Sequence, residues 1–97
     1  MFDINEYFKT ATKNGFVFEP VECKDGFKVS IQASHSHYCT PRKDDAEYYT
    51  HVELGFPNMI PPDYILEYAE DEEYPTDTVY AYVPVELVNQ MIDLHNQ

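Results

Sequence analysis

Three side chains that commonly bind zinc alternate along the segment His35-Ser36-His37-Tyr38-Cys39. On a β-strand, alternate residues point to the same face, so His35, His37 and Cys39 would lie together. Histidine nitrogens and cysteine thiolates are the usual ligands of tetrahedral zinc sites. The candidates for a fourth ligand on a neighbouring strand are His51, Cys23 and Glu53. The spacing lacks the ligand pairs of known zinc motifs, so histidines of an exposed strand are the competing interpretation.

The two cysteines, Cys23 and Cys39, support a second chemical hypothesis, a thiol nucleophile activated by a histidine. No signature of a cysteine enzyme surrounds either residue. The chain has three glycines and no glycine-rich phosphate loop, and it has no His-Glu-x-x-His metal motif. We therefore expect no enzymatic activity and no cofactor. We also expect both cysteines to be free thiols rather than a disulfide.

Acidic side chains dominate the second half of the chain. The net charge is −12 at pH 7, and no Lys or Arg follows Lys43. The 54 residues from Asp44 to Gln97 contain 13 carboxylates. Internal ion pairs cannot neutralise such a segment, so salt must screen its charge or a basic partner must meet it.

Carboxylates and two tyrosines of this region form the predicted partner-binding surface. A rigid fold would hold carboxylates at intervals comparable to DNA phosphates, roughly 3.4 Å along a strand, so a groove that binds DNA would accept them. Tyrosine adds a large contact area with a polar tip. The predicted residues are Asp44, Asp45, Glu47, Asp63, Glu67, Glu70, Asp71, Glu72, Glu73, Asp77, Tyr68 and Tyr74. The competing interpretation is that the charge serves solubility alone.

The composition limits the class of protein. The length predicts a single domain over residues 1–97. Nine tyrosines and six phenylalanines distinguish the chain from a disordered acidic tail. No apolar run reaches the length of a membrane span, and the first residues lack the features of a signal peptide, so we expect a cytoplasmic protein. The acidic charge opposes direct binding to nucleic acid or to an anionic membrane, since both would repel the protein. The sequence leaves open whether the protein forms a homodimer.

Hydrophobic periodicity predicts a helix at each end of the chain. Residues 3–14 fit an amphipathic helix that Asp3 caps, with Glu6 in the capping-box position and Asn14-Gly15 as its end. Pro84 begins a second helix, in which apolar residues recur at three-four spacing.

Alternating apolar and polar residues predict four strands between these helices. The predicted strands cover residues 16–22, 27–33, 48–56 and 78–83, with a hairpin turn at Asp25-Gly26. A short helical turn is expected after Pro61-Pro62, and a solvated loop at residues 70–73. Hairpin and meander connections predict a four-stranded, mainly antiparallel sheet flanked by the N- and C-terminal helices, which is an α+β fold.

Several blocks of the sequence resemble one protein family. In chain order the blocks are Gln32-Ala33-Ser34, Tyr38-Cys39 with Pro41-Arg42, residues 52–57, residues 68–71 and residues 75–84. They resemble small uncharacterised acidic proteins encoded by bacteriophages and prophages, over roughly residues 30–95. The resemblance implies a phage-linked origin, and small acidic phage proteins include inhibitors of CRISPR and restriction systems. It implies no catalytic residues, and His35 and His37 lie outside the blocks.

These observations favour a non-enzymatic, phage-derived anti-defence inhibitor (anti-CRISPR or anti-restriction) that acts in the bacterial host cell. It would present a carboxylate surface that mimics nucleic acid to a basic nucleic-acid-binding protein or complex. Two alternatives stay open. One is a zinc-binding protein that uses His35, His37 and Cys39, and the other is a phage accessory protein whose charge serves only solubility.

Overall fold

Three helices and six strands follow one another in a computed structural model that describes residues 1–97. In chain order they are α1 (Ile4–Thr10), β1 (Lys13–Asn14), β2 (Val17–Phe18), β3 (Val21–Glu22), β4 (Lys28–Gln32), β5 (His51–Gly55), α2 (Asp63–Leu66), β6 (Val79–Pro84) and α3 (Val85–His95). The predicted α+β class is confirmed. No helix combines the length and the apolar character that a membrane crossing requires.

Strands β3, β4, β5 and β6 form one antiparallel sheet in that order. Ile31 of β4 pairs with Leu54 of β5, and Val52 of β5 pairs with Val83 of β6. All four side chains are buried, because the period-two pattern places them on one face of the sheet. The predicted four-stranded antiparallel sheet is therefore confirmed.

Both terminal helices cover this buried face of the sheet. Ile4 of α1 and Val88, Met91 and Ile92 of α3 belong to the same cluster of 18 buried residues as the sheet side chains. Burial of each such side chain stabilises the fold by about 1.5–3 kcal/mol. The opposite face carries the alternate residues, among which Ser30 lies beside Gly55.

The first helix is shorter than predicted. The Asp3 carboxylate accepts a hydrogen bond from the backbone N–H of Asn5, which confirms it as the cap. Glu6 pairs with Lys9 at 2.8 Å. The helix ends at Thr10, and the segment predicted to continue it forms the hairpin β1–β2 instead.

The hairpin β1–β2 explains why the helix prediction failed at this end. Asn14 ends β1 and Gly15 begins the turn of the hairpin, where Gly15 has φ 67°, a conformation that costs little only for glycine. Phe18 is buried with its ring 4.5 Å from that of Phe8. The Gln32 side-chain amide holds the Phe18 backbone by accepting from its N–H and donating to its carbonyl, both at 2.8 Å.

The remaining predicted strands are confirmed with changed limits. The strand predicted for residues 16–22 is divided between β2 and β3, since Pro20 lacks a backbone N–H. The third predicted strand, residues 48–56, is limited to β5. Tyr49, outside β5, is buried, and hydrogen bonds satisfy its polar groups: its hydroxyl donates to the Lys43 carbonyl, and its backbone N–H and carbonyl bond the Asn5 side chain. The short helical turn, the last strand and the last helix appear as α2, β6 and α3.

Candidate functional site

The segment between α2 and β6, residues 67–77, forms what we term the acidic loop. It consists of turns and bends with a single bridge to a strand, at Ala69. Its carboxylate residues are all exposed: Glu67, Glu70, Asp71, Glu72, Glu73 and Asp77. The predicted solvated loop at residues 70–73 is therefore confirmed.

The start of the acidic loop lies along the outer edge of β6. Ala69 bridges Tyr80 in antiparallel pairing. The Glu70 N–H donates to the Val79 carbonyl at 3.0 Å, and the Ala81 N–H donates to the Tyr68 carbonyl at 3.3 Å. This pairing satisfies backbone groups that an edge strand would otherwise expose.

Two side chains, one just before β6 and one within it, fix the rest of the acidic loop. The Thr78 hydroxyl accepts from the Asp71 N–H at 3.0 Å. The Tyr80 hydroxyl donates to the Pro75 carbonyl, and the Tyr80 side chain lies fully inside the core. The carboxylates therefore project from a backbone that is held against the sheet at several points along its length.

No basic side chain of the protein neutralises the acidic loop. The four ion pairs or histidine–carboxylate contacts are Lys9–Glu6, Lys13–Asp45, His35–Asp44 and His95–Asp25. None of them contains a residue of the loop. Its six like charges therefore create a strongly negative local potential.

The other predicted acidic group, residues 44–47, lies at the opposite end of the sheet. Gly55 of β5 pairs with Val79, so the acidic loop that leads into Val79 lies at that end. Thr40 bridges His51 at the other end of β5, and the connection that carries Asp44 lies there. A strand of this length separates the two ends by roughly 17 Å. The two groups therefore do not form one continuous surface.

The group at residues 44–47 is also partly neutralised. Asp44 accepts from the ring Nδ1 of His35 at 2.9 Å and from its backbone N–H at 3.1 Å, and these hydrogen bonds hold the pKa of Asp44 below its usual value. Asp45 lies 2.6 Å from Lys13 Nζ. Glu47 is exposed without an ion-pair partner. This group is therefore a weaker candidate for a partner than the acidic loop.

The remaining predicted residues lie on or next to the acidic loop. Asp63 is the exposed first residue of α2. Glu67 and Glu72 border one shallow cleft of about 310 Å³. Tyr74 is 58 % exposed, whereas Tyr68 is half-buried and packs against the core. Tyr74 is therefore the more accessible of the two tyrosines.

The predicted zinc ligands do not share a strand face. Residues 34–38 form a turn and bends, so the alternation expected for His35, His37 and Cys39 is wrong. His37 Nδ1 lies 2.6 Å from the Ser34 hydroxyl, and His51 Nδ1 lies 2.8 Å from the Thr50 hydroxyl. No group of three or more His, Cys, Asp or Glu side chains is arranged to hold a metal ion.

Both cysteines are buried free thiols, as predicted. The Cys39 thiol donates to backbone carbonyls, with Sγ 3.2 Å from the Ser34 oxygen. Burial raises the pKa of Cys39 and of Cys23 above the usual thiol value. A reactive cysteine needs the opposite shift, so the geometry gives no support to the nucleophile hypothesis.

Protein-family models, curated proteins and solved structures gave no match to this chain. The resemblance to phage-encoded proteins therefore stays a prediction, and the function has to be inferred from the residues themselves.

The largest cleft, of about 660 Å³, lies between the N-terminal residues and α3. Phe2, Tyr64 and Leu94 line it together with several polar residues. One of these, Asp93, already accepts a hydrogen bond from the Phe2 N–H at 2.7 Å. The cleft is therefore lined by two carboxylates, Glu86 and Asp93, and one of them, Asp93, anchors the N-terminus.

Sequence patterns missed the exposure of three apolar residues that follow β5. Phe56, Met59 and Ile60 are 58 %, 39 % and 67 % exposed. The alternation of the third strand predicts Phe56 on the same face as Leu54, but Phe56 has φ 50° and leaves the strand. The following proline favours extended backbone at this position, so sequence patterns do not indicate the positive φ of Phe56.

Proposed function

We propose that the protein is a non-enzymatic binding protein that docks its acidic loop on the basic surface of a nucleic-acid-binding protein. One observation carries the proposal: six exposed carboxylates, none paired with a cation of the chain, project from a backbone hydrogen-bonded to β6. A cationic partner would relieve their mutual repulsion, so association would lower the electrostatic free energy of both surfaces.

The anchoring of the acidic loop favours specific binding over diffuse attraction. A flexible acidic tail loses backbone freedom when it binds, whereas this loop is already fixed by Tyr80 and Thr78. Its carboxylates would steer a basic partner into contact, and the exposed Tyr74 would add contact area. The interface is centred on residues 67–77 rather than on all twelve residues predicted from the sequence.

The class of partner follows from charge and from the resemblance to phage proteins. Surfaces that bind nucleic acid are dense in Lys and Arg, and a rigid set of carboxylates competes for the same side chains. In the cytoplasm of a bacterial host, CRISPR and restriction complexes present such surfaces. We propose that the protein inhibits a complex of this kind by occupying its nucleic-acid site.

A charge-matched pair of variants tests this function. Glu70→Gln, Glu72→Gln and Glu73→Gln together remove three charges from the acidic loop and leave Asp71, whose carboxylate accepts from the Glu73 N–H. The control replaces three exposed carboxylates elsewhere: Glu19→Gln, Glu22→Gln and Glu86→Gln. Both proteins have the same net charge, so a difference between them reflects the position of the charge.

The probe is the set of bacterial proteins that a DNA–cellulose column retains and salt elutes, mixed with a labelled DNA duplex. We expect the wild type and the control variant to displace the DNA at about 0.05 M salt and to lose this effect at about 0.5 M. The acidic-loop variant should displace much less at either concentration. If the two variants displace the DNA equally, or if none of the three proteins displaces it, the charge serves solubility alone.

A further inference from the structure

Phe56, Met59 and Ile60 are exposed apolar residues in the segment that follows the end of β5. All three are more than a third exposed, and Ile60 is the most exposed of them. Large exposed apolar side chains that lie close together often mark an interaction site, so a group of three within five residues is a candidate contact surface. We use the term apolar patch for these three residues only.

The backbone conformation of Phe56 is a second unusual feature, shared among the non-glycine residues only by Asp45 and Tyr82. Its φ of 50° lies in the left-handed region, where a bulky side chain is strained. The Phe56 N–H donates to the Thr78 carbonyl at 3.0 Å, which holds the residue in place. Glycine or asparagine would adopt the same backbone more easily, so the ring itself is the feature that needs an explanation.

The apolar patch and the acidic loop meet at Thr78. Thr78 follows Asp77 directly, bonds the Phe56 N–H through its carbonyl, and accepts from the Asp71 N–H through its hydroxyl. Charge complementarity therefore selects the occupant, because a protein that covers Phe56 approaches the unpaired carboxylates as well. A second copy of this chain would bring two acidic loops together, so self-association through the patch is disfavoured.

A shallow cleft beside Phe56 could receive a side chain of a partner. The cleft, of about 300 Å³, is lined by Phe56, Pro20, Ser30 and Gly55. The exposed Lys28 also lines it, so the negative charge that attracts a basic partner comes from the acidic loop and not from the cleft. Gly55 has no side chain to fill it, and a Cβ there would lie 3.7 Å from the Ser30 Cβ. The space suits one apolar side chain of a partner.

We propose that the apolar patch is the hydrophobic anchor of the same interface, so that the partner is a basic surface carrying an exposed apolar side chain that packs on Phe56. The patch extends the proposed function and rests on it, because the acidic loop supplies the charge that selects the partner. Interfaces commonly combine a central aromatic anchor with charged residues at the rim. The anchor would supply the part of the affinity that salt does not screen.

Two synthetic peptides separate the anchor from the charge. They contain equal numbers of lysines, which alternate with glycine in one peptide and with leucine in the other. Fluorescence anisotropy measures the Kd of each peptide for the wild type, Phe56→Asn, Phe56→Gly and the acidic-loop variant. Asn and Gly both accept a positive φ, so these proteins keep the fold. Phe16→Ala removes another exposed phenylalanine, far from the acidic loop in sequence, as the control.

We expect the wild type and Phe16→Ala to bind the leucine peptide about fivefold or more tightly than the glycine peptide. Phe56→Asn and Phe56→Gly should bind both peptides with the weaker affinity. The acidic-loop variant should lose affinity for both peptides while it keeps the ratio between them. A ratio that Phe56 substitution leaves unchanged would overturn the anchor, whereas unchanged affinities in the acidic-loop variant would overturn the proposed function.

Sedimentation of the wild type tests the competing occupant. We expect a monomer at concentrations well above the Kd of the leucine peptide, because the acidic loops repel. A dimer that Phe56→Asn dissociates would assign the apolar patch to self-association and overturn the proposal.

Discussion

The Tyr80 hydroxyl, at the end of a fully buried side chain, donates a hydrogen bond to the Pro75 carbonyl in the exposed acidic loop. This bond joins the hydrophobic core to the middle of the most charged segment of the protein. Pro75 has no N–H of its own, so its carbonyl is the one backbone group through which the sheet can hold this point of the loop. The order of the loop therefore depends on a residue that carries no charge.

Tyr80→Phe should loosen the acidic loop without changing its charge. We expect a loss of about 1–2 kcal/mol in the free energy of unfolding, because a hydrogen bond is lost and the Pro75 carbonyl is left without its donor. Urea denaturation gives the stability, and hydrogen exchange of residues 71–77 gives the order of the loop. Tyr64→Phe is the control, because Tyr64 is a partly buried tyrosine that packs against the core and lies outside the acidic loop. Equal exchange rates in the two variants would show that Tyr80 does not order the loop.

Acid should destabilise the protein through Asp25. The hydrogen bond from His95 Nδ1, at 2.6 Å, is the main cause that holds the pKa of Asp25 below its usual value, followed by the bond from the Phe27 N–H. A carboxylate with a lowered pKa in the folded state stabilises the fold above its unfolded pKa of about 3.9. This contribution is lost as the pH falls through the lower, folded value.

The measurement is the urea midpoint of the wild type and Asp25→Asn between pH 7 and pH 2. We expect Asp25→Asn to be less stable at pH 7, and the difference to shrink below about pH 4. The asparagine keeps an acceptor for the Phe27 N–H, so the variant isolates the charge. A difference that stays constant over the whole range would mean that Asp25 acts through packing rather than ionisation.

Local patterns predicted the elements of the fold but not the contacts between distant residues. The alternation of Val29 and Ile31 defines β4, and the proline before Val85 marks the start of α3. The hairpin β1–β2 could not be predicted, because Phe18 is held by the side chain of Gln32, fourteen residues away. Periodicity records which face of an element is apolar, and it carries no information about such a contact.

The sequence predicted which residues belong to the candidate site, but it did not predict which of them lie together on the folded protein. The unpaired acids at residues 70–73 are visible in the sequence because no base lies near them. The separation of residues 44–47 from the acidic loop depends on the register of β5 with β6, which sequence patterns do not give. The exposure of Phe56 depends on a positive φ that its neighbours in sequence do not indicate.

Phe56→Asn should keep or increase the stability of the protein although it removes a phenylalanine. Relief of the left-handed strain is worth about 1–2 kcal/mol, and the ring is more than half exposed, so little burial is lost. Phe56→Gly should gain less by about 0.4–1 kcal/mol, since glycine makes the unfolded chain more flexible. Thermal and urea denaturation measure both variants. A clear loss of stability in Phe56→Asn would mean that the ring contributes to the fold.

Gln32→Ala should release the hairpin β1–β2 from the sheet. The Gln32 amide both accepts from the Phe18 N–H and donates to the Phe18 carbonyl, and these contacts are buried. Removal of the amide leaves two backbone groups without partners, which costs about 1–3 kcal/mol for each buried group. Gln32→Glu is the informative comparison, because its carboxylate can still accept from the N–H but cannot donate to the carbonyl. We expect the free energy of unfolding to fall in the order wild type, Gln32→Glu, Gln32→Ala, with faster hydrogen exchange at residues 13–18. Stability unchanged in Gln32→Ala would show that the burial of Phe18 against Phe8 holds the hairpin without this amide.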